Sequence, residues 1–250
     1  MTTIPHYERL FSLFPDEPGL RDQRYATECA EDIRRMVECV DAGTWRESTL
    51  NESFTDLFLE DVRNAQTFID VGAERGFYAY LARAHMPPAA RIIAIEPDPV
   101  RCALLEELFA NDPNTTVCHS AASSRVGTIT LVKPRGCSST AADVPGDAYC
   151  VESVVLDEFL KSVHVDVIKI DVEGAEADVL DGMWRILNED RPTLYLEYHP
   201  WVEQIRPGGA QLISDILADA HYQMHRTDQG RPTPTDRPGG RMRIVPTTAT

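Results

Sequence analysis

The stretch Phe68-Ile69-Asp70-Val71-Gly72-Ala73-Glu74-Arg75-Gly76-Phe77-Tyr78 sets the reading of this chain. A short apolar run, Thr67–Val71, ends in glycine and reads as a buried strand. Two glycines then turn the chain into a helix over Phe77–Ala84, which Pro87-Pro88 stops. Glycine tolerates positive φ and lets a ligand approach the backbone. In an open α/β sheet, ligands lie beyond the carboxyl ends of the strands, where the strand order reverses. The dinucleotide fingerprint G-x-G-x-x-G is incomplete, because Glu74 stands where the closest-approach glycine would be. That argues against a pyrophosphate ligand and against a nicotinamide-dependent oxidoreductase.

Outward from this turn, strands and helices alternate. Arg91–Ile95, Thr115–His119, Val165–Ile170 and Thr193–Tyr198 read as strands. Helices are expected over Val100–Asn111, Gly174–Leu187 and Gln211–Ala220. This order predicts an α/β fold: a mostly parallel sheet with helices on both faces. Ser123–Val155 reads as a hairpin with a Ser/Gly/Pro-rich loop from Pro134 to Asp147, a loop type that shapes substrate pockets. Tyr222–Arg226 and Arg241–Val245 read as a C-terminal antiparallel hairpin on that sheet. Residues 1–64 form an N-terminal helical cover, with helical spacing in Ala26–Val40 and Leu50–Val62; residues 65–250 form the ligand-binding domain.

Four further positions carry chemistry. Glu96 ends the second strand, 20 residues after Gly76, where a carboxylate meets a ribose diol. With Asp70 it gives two acids around one nucleoside-sized slot, which suits a cationic, phosphate-free cofactor: S-adenosylmethionine. The bland reading makes Glu96-Pro97-Asp98 a helix start. Asp171 ends the fourth strand in Asp171-Val172-Glu173-Gly174-Ala175-Glu176, either as a helix cap or beside the reacting group. Glu197 and His199 end the fifth strand on one face; His199 could serve as general base, although a lone histidine before proline is more often structural. Asp171, Glu197 and His199 together could hold a divalent metal.

The chain has 250 residues and a net charge of −16. An acidic surface repels phosphate backbones, so a nucleic-acid substrate is not expected. The D-V-E-G sequence after strand four is also not the N-P-P-Y or D-P-P-Y of amino-group methylation. Six cysteines form no C-x-x-C pair and read as buried thiols. Neither a signal peptide nor an apolar span is read, and a cytoplasmic protein is expected.

The runs FIDVGAERGFYAYLA, IIAIEPDPVRCALLEELFAN, VVLDEFL…VDVIKIDVEGAEADVLDGMWRIL and RPTLYLEYHP resemble the FkbM-type methyltransferases, class I Rossmann-like enzymes that use S-adenosylmethionine. The resemblance covers about Phe68 to Pro200, and KIDVEGAE is its most specific part. It implies that Asp70, Gly72, Ala73 and Gly76 line the methionine end of the cofactor. Glu96, with Pro97 and Asp98, would take the ribose, the Ser120-Ala121 turn would lie near adenine, and Asp171 would border the reaction centre. The implied reaction is O-methylation of a small hydroxylated acceptor such as a sugar or natural product; a cofactor-binding domain without turnover is the alternative. This chain has Glu74 where the family usually has Asn. Phe11, Phe14 and Tyr25 could line an acceptor pocket, but helix packing is the expected fate of these side chains.

Overall fold

Residues 23–45, 52–133, 147–204, 207–227 and 231–247 are described in a computed structural model. The chain runs α1 (Gln23–Asp41), α2 (Glu52–Val62), β1 (Thr67–Val71), α3 (Phe77–His85), β2 (Arg91–Ile95), α4 (Pro99–Leu108), β3 (Thr115–Cys118), β4 (Ala121–Ala122), β5 (Gly127–Lys133), β6 (Asp147–Val154), α5 (Leu156–Phe159), β7 (Val167–Ile170), α6 (Glu176–Asp181), a π-helix (Ile186–Asp190), β8 (Thr193–Tyr198), a 3-10 helix (Pro200–Gln204), α7 (Gly209–Asp219), β9 (Tyr222–Arg226), β10 (Thr233–Thr235) and β11 (Gly240–Pro246).

Eight strands form the main sheet in the order β10-β9-β11-β8-β7-β1-β2-β3. The five from β8 to β3 are parallel, and β11 pairs antiparallel with both β8 and β9. This is an α/β fold with a mostly parallel sheet and helices on both faces, as the alternation of elements predicts. The expected C-terminal hairpin forms: β9 and β11 pair antiparallel, with β11 seated between β8 and β9, and β10 is an added strand inside the Pro/Gly-rich connection. The predicted Ser123–Val155 hairpin forms as β5 and β6, in a separate three-stranded sheet with β4. Its loop, residues 134–146, lies outside the described residues, as do Phe11 and Phe14.

Strand alternation sorts the core into two layers. Ile69, Val71, Ile93, Ile95, Ile168 and Ile170 pack with α6 and α7 on one face. Phe68, Ile92, Ala94, Val167 and Tyr195 pack with α1 to α4 on the other. On that second face, Phe54 and Phe58 of α2 meet Tyr78 and Tyr195 edge-to-face at 5.1–5.8 Å. Such aromatic pairs contribute about 0.5–1.5 kcal/mol each beyond area burial. Asp61 of α2 accepts from Arg243 Nε at 2.7 Å and Nη2 at 3.0 Å, and from Tyr195 Oη, which pins α2 to the sheet.

The order reverses between β1 and β7, so their carboxyl ends diverge there and open a crevice. The helix expected over Gly174–Leu187 is interrupted. It begins at Glu176 and breaks at Gly182, where a Cβ would lie 2.4 Å from Ser123 O. The close crossing by Ser123 requires glycine at the break, and helical residues resume at Trp184 and run on as the π-helix. Cys29 and Cys102 are buried as expected, but Cys150 is exposed on β6, and Cys137 lies outside the described residues. No described helix is long and apolar enough to cross a membrane.

Candidate active site

The turn after β1 is built around Gly72. Its N–H donates to Ile95 O at 2.9 Å and its φ is +76°. A Cβ there would lie 1.9 Å from Asp171 O, so what approaches this glycine is the end of β7 rather than only a ligand. Gly76 caps α3 at φ +78° and packs on Leu105 of α4; it faces the helix and not the crevice. Glu74 also adopts positive φ, +54°. Asn tolerates that region better than Glu, which gives a physical reason for the Asn usual in the resembling family. The Glu74 N–H donates to Glu96 Oε2 at 2.7 Å, fastening the turn to the end of β2.

A cleft of about 870 Å³ opens beyond this turn. Gly72, Glu96, Pro97, Ser120, Ala121 and Asp171 of the predicted set line it. Val71, Ile95, Ile129, Leu131 and Val172 supply an apolar wall. Five carboxylates (Glu74, Glu96, Asp171, Glu173 and Asp178) face one guanidinium, Arg101, whose Nη2 lies 3.6 Å from Glu74. Burial pushes the Glu96 carboxyl up to about 8, against the opposing pull of Arg101 and two backbone N–H donors, Glu74 and Asp98.

Asp98 is buried and does not line the cleft. It caps α4 through Val100 N and Arg101 N, and accepts from Tyr25 Oη at 2.9 Å. Tyr25 therefore ties α1 to the β2–α4 turn and is not an acceptor contact. Asp70 is likewise no wall residue. It is buried, its Oδ2 accepting from Ala79 N at 3.1 Å, and its Oδ1 stands 3.8 Å from Lys169 Nζ. Register explains the misreading: Asp70 and Lys169 are direct partners in adjacent strands, on the face covered by α1 to α4. Burial raises the Asp70 carboxyl to about 6, with Lys169 opposing. Burial alone would lower Lys169; the carboxylates of Asp171 and Asp70 hold its ammonium above the ordinary lysine range.

A second cleft, of about 1210 Å³, lies on that face. Ala73, Glu74, Arg75, Phe77 and Tyr78 line it with Lys169, Asp171, Glu197 and Arg241; α1 adds Asp32, Arg35, Met36 and Cys39. Glu74 and Asp171 belong to both clefts.

The predicted trio of Asp171, Glu197 and His199 separates. Glu197 is held by Arg241, its register partner on β11, at 2.9 Å. The strand ends at Tyr198, so alternation no longer governs His199, which turns towards Glu173 and Glu176. Ligand atoms of Asp171, Glu173 and His199 converge within 4.8 Å, and this is the set among the described residues that could hold a metal. The His199 Nε2 lies 3.6 Å from Glu173 and Nδ1 lies 3.3 Å from the buried Glu176. Burial would lower its pKa, but the Glu176 hydrogen bond and the charges of Glu173 and Asp171 raise it to about 9. A charged imidazolium between carboxylates accounts for this convergence without an ion. It also makes His199 a hydrogen-bond donor at neutral pH and not a base.

A raised folded-state pKa gives stability that is complete below the unfolded value of 6.5 and lost as pH rises through about 9. His199→Asn is therefore expected to destabilise the protein more at pH 6 than at pH 9.5 in urea titrations. An equal loss at both pH values would show that no histidinium is held here.

The FkbM methyltransferase domain model matches residues 70–224, more than half of the chain. The chain belongs to the FkbM methyltransferase family. The chain is also similar to several solved structures. The FkbM methyltransferase of Methylobacillus flagellatus is 19% identical over 72% of this chain, TM-score 0.49, and only 43% of that longer chain is covered. An S-adenosylmethionine-dependent O-methyltransferase of Thermotoga maritima is 12% identical over 79% of this chain and 65% of its own, TM-score 0.46. Aeropyrum pernix fibrillarin, solved with natively bound S-adenosylmethionine, is 13% identical over 74% of this chain and 68% of its own, TM-score 0.43. No curated protein sequence matches significantly.

Membership in the FkbM family implies S-adenosylmethionine, and the first cleft fits it. The excess of carboxylates suits a sulfonium and an ammonium and repels a pyrophosphate. Glu96 would take the ribose hydroxyls, and the apolar wall would take the purine. Glu96→Ala is expected to weaken S-adenosylmethionine binding by about 10–100-fold, since removing the carboxyl leaves the ribose hydroxyls without their buried partner, which costs about 1–3 kcal/mol. Calorimetric affinity within threefold of wild type would remove Glu96 from this role. Sequence reading missed Lys169, Glu173, Arg101 and Arg241. Only Lys169 carried a signal, as a lone cation inside the apolar run V-D-V-I-K-I.

Proposed function

We propose that this FkbM-family chain is an O-methyltransferase acting on a small, neutral, hydroxylated acceptor held in the second cleft. The observation that carries the reading is that Asp171 stands where the two clefts meet. With Glu74, this carboxylate borders both clefts, so it is placed to face a group held in either one. Bound S-adenosylmethionine supplies the activated methyl group. Asp171 accepts the acceptor's hydroxyl proton as the new oxygen–carbon bond forms. Histidinium 199 and Glu173 flank Asp171 and fix the local charge.

Four basic groups (Arg35, Arg75, Lys169 and Arg241) and four acidic ones (Asp32, Glu74, Asp171 and Glu197) line the second cleft. That balance favours an uncharged polar molecule. A nucleic acid would meet these carboxylates and a chain of net charge −16. Closing such a cleft on two aligned reactants contributes up to roughly 7–11 kcal/mol of barrier lowering.

The test is transfer of labelled methyl to a panel of methyl glycosides, alcohols and phenols, with product identified as a methyl ether. Transfer to a nitrogen acceptor alone would refute O-methylation. Cofactor binding by calorimetry with no transfer to any acceptor would instead support a domain without turnover.

A further inference from the structure

We propose that Lys169 is a catalytic residue: its ammonium donates to the acceptor oxygen and stabilises the negative charge growing there, with Asp70 as its buried counter-ion. The inference rests on the O-methyltransfer reading of the second cleft.

Lys169 lines that cleft from within the sheet, at 3% exposure. Arg35 and Arg75, the cations at the rim, are largely exposed, and water screens them. Lys169 is therefore the cleft cation whose field is least weakened. An ammonium carries three donors. One goes to Asp171 Oδ2 at 3.3 Å, and Nζ stands 5.1 Å from the centre of the Tyr78 ring. Asp70 does not take up another, because 3.8 Å is too long for a hydrogen bond, and Asp70 Oδ1 has no hydrogen-bond partner. Asp70 thus gives charge compensation without consuming a donor. A purely structural ion pair would be expected to close that gap, because both groups lose water on burial. Here the pair leaves donor capacity on the ammonium in a cleft where the proton acceptor of the proposed reaction, Asp171, is its immediate neighbour.

In the step this arrangement serves, the acceptor O–H bond breaks and its proton passes to Asp171. The oxygen electron pair forms the bond to the methyl carbon, the carbon–sulfur bond breaks, and its electron pair stays on sulfur. Lys169 keeps its proton throughout and donates to the oxygen while it is electron-rich. Preorganised donors of this kind contribute about 10²–10³-fold in turnover.

The test compares wild type with Lys169→Met, and with Lys169→Met combined with Asp70→Asn, which removes both buried charges in near-isosteric form and guards against misfolding. Both variants should bind S-adenosylmethionine within about threefold of wild type by calorimetry, and lose about 10²–10³-fold in kcat. The loss should be greater for an aliphatic alcohol than for an acidic phenol, whose oxygen needs less help. Independently of turnover, 4-nitrophenol is titrated into each protein with S-adenosylhomocysteine present. Wild type should bind its ionised form, read by visible absorbance, about tenfold or more tighter than either variant does. Equal turnover in variant and wild type overturns the role of Lys169 while leaving O-methyltransfer standing. If wild type methylates no hydroxyl, that reading falls, and the nitrophenolate arm still decides: equal or absent binding overturns the ammonium's role.

Discussion

Replacing Asp171 with Asn is expected to lower kcat by about 10²–10⁴-fold, the range for loss of a positioned proton acceptor. The fold should survive. Asn keeps an oxygen for the Lys169 ammonium, which Asp171 now receives at 3.3 Å, and the backbone bond from Asp171 N to Val71 O is untouched. Because Asp171 is one of two residues shared by both clefts, the effect should appear in turnover more than in cofactor affinity. Single-turnover assays with labelled methyl donor, paired with calorimetry, separate the two. A variant that turns over within threefold of wild type would remove Asp171 from proton transfer, and with it the observation on which the proposed reaction is built.

Gly72→Ala is expected to be among the most damaging single-methyl additions in the chain. At φ +76° any side chain incurs about 1–2 kcal/mol of left-handed strain. The added Cβ would sit 1.9 Å from Asp171 O, so β1 and β7 must part at the point where the crevice opens. Forced repacking adds about 1–3 kcal/mol. The sum, about 2–5 kcal/mol, corresponds to a fall in Tm of about 5–20 °C for a chain of this size. Gly43 provides the control: its φ is +71°, but a Cβ there meets nothing within 4 Å. Gly43→Ala should therefore show the strain alone. Comparable losses in the two variants would mean that the β1–β7 approach is not as tight as the geometry indicates.

Much of the architecture was legible in the residues because strands and helices leave different periodicities. Thr67–Val71, Arg91–Ile95, Thr193–Tyr198 and Tyr222–Arg226 fall at the predicted positions. Each is a short apolar or alternating run bounded by a breaker. The helix after β7 is interrupted at Gly182 and Met183 and then continues to Asp190, an interruption that no local pattern in Gly174–Leu187 announces. In the candidate site, Gly72, Glu96, Pro97, Ser120, Ala121 and Asp171 could be placed because each ends or follows a strand, and strand ends meet at the crevice. Asp70 and Asp98 were also near strand ends, yet both turn inward, one to Ala79 N and Lys169, the other to the first turn of α4 and Tyr25.

By itself the amino-acid sequence determined the alternation of elements, the turn through Gly72 and the family motifs, all carried by neighbours along the chain. Only the tertiary structure decided that Lys169 lies beside Asp70, that Arg241 takes Glu197, and that Glu173 rather than Glu197 joins His199. Those pairings depend on which strands become adjacent, on their register, and on where β8 stops. They link residues separated by tens of positions, and the energies that choose among the pairings belong to packing across the sheet, which no local pattern records.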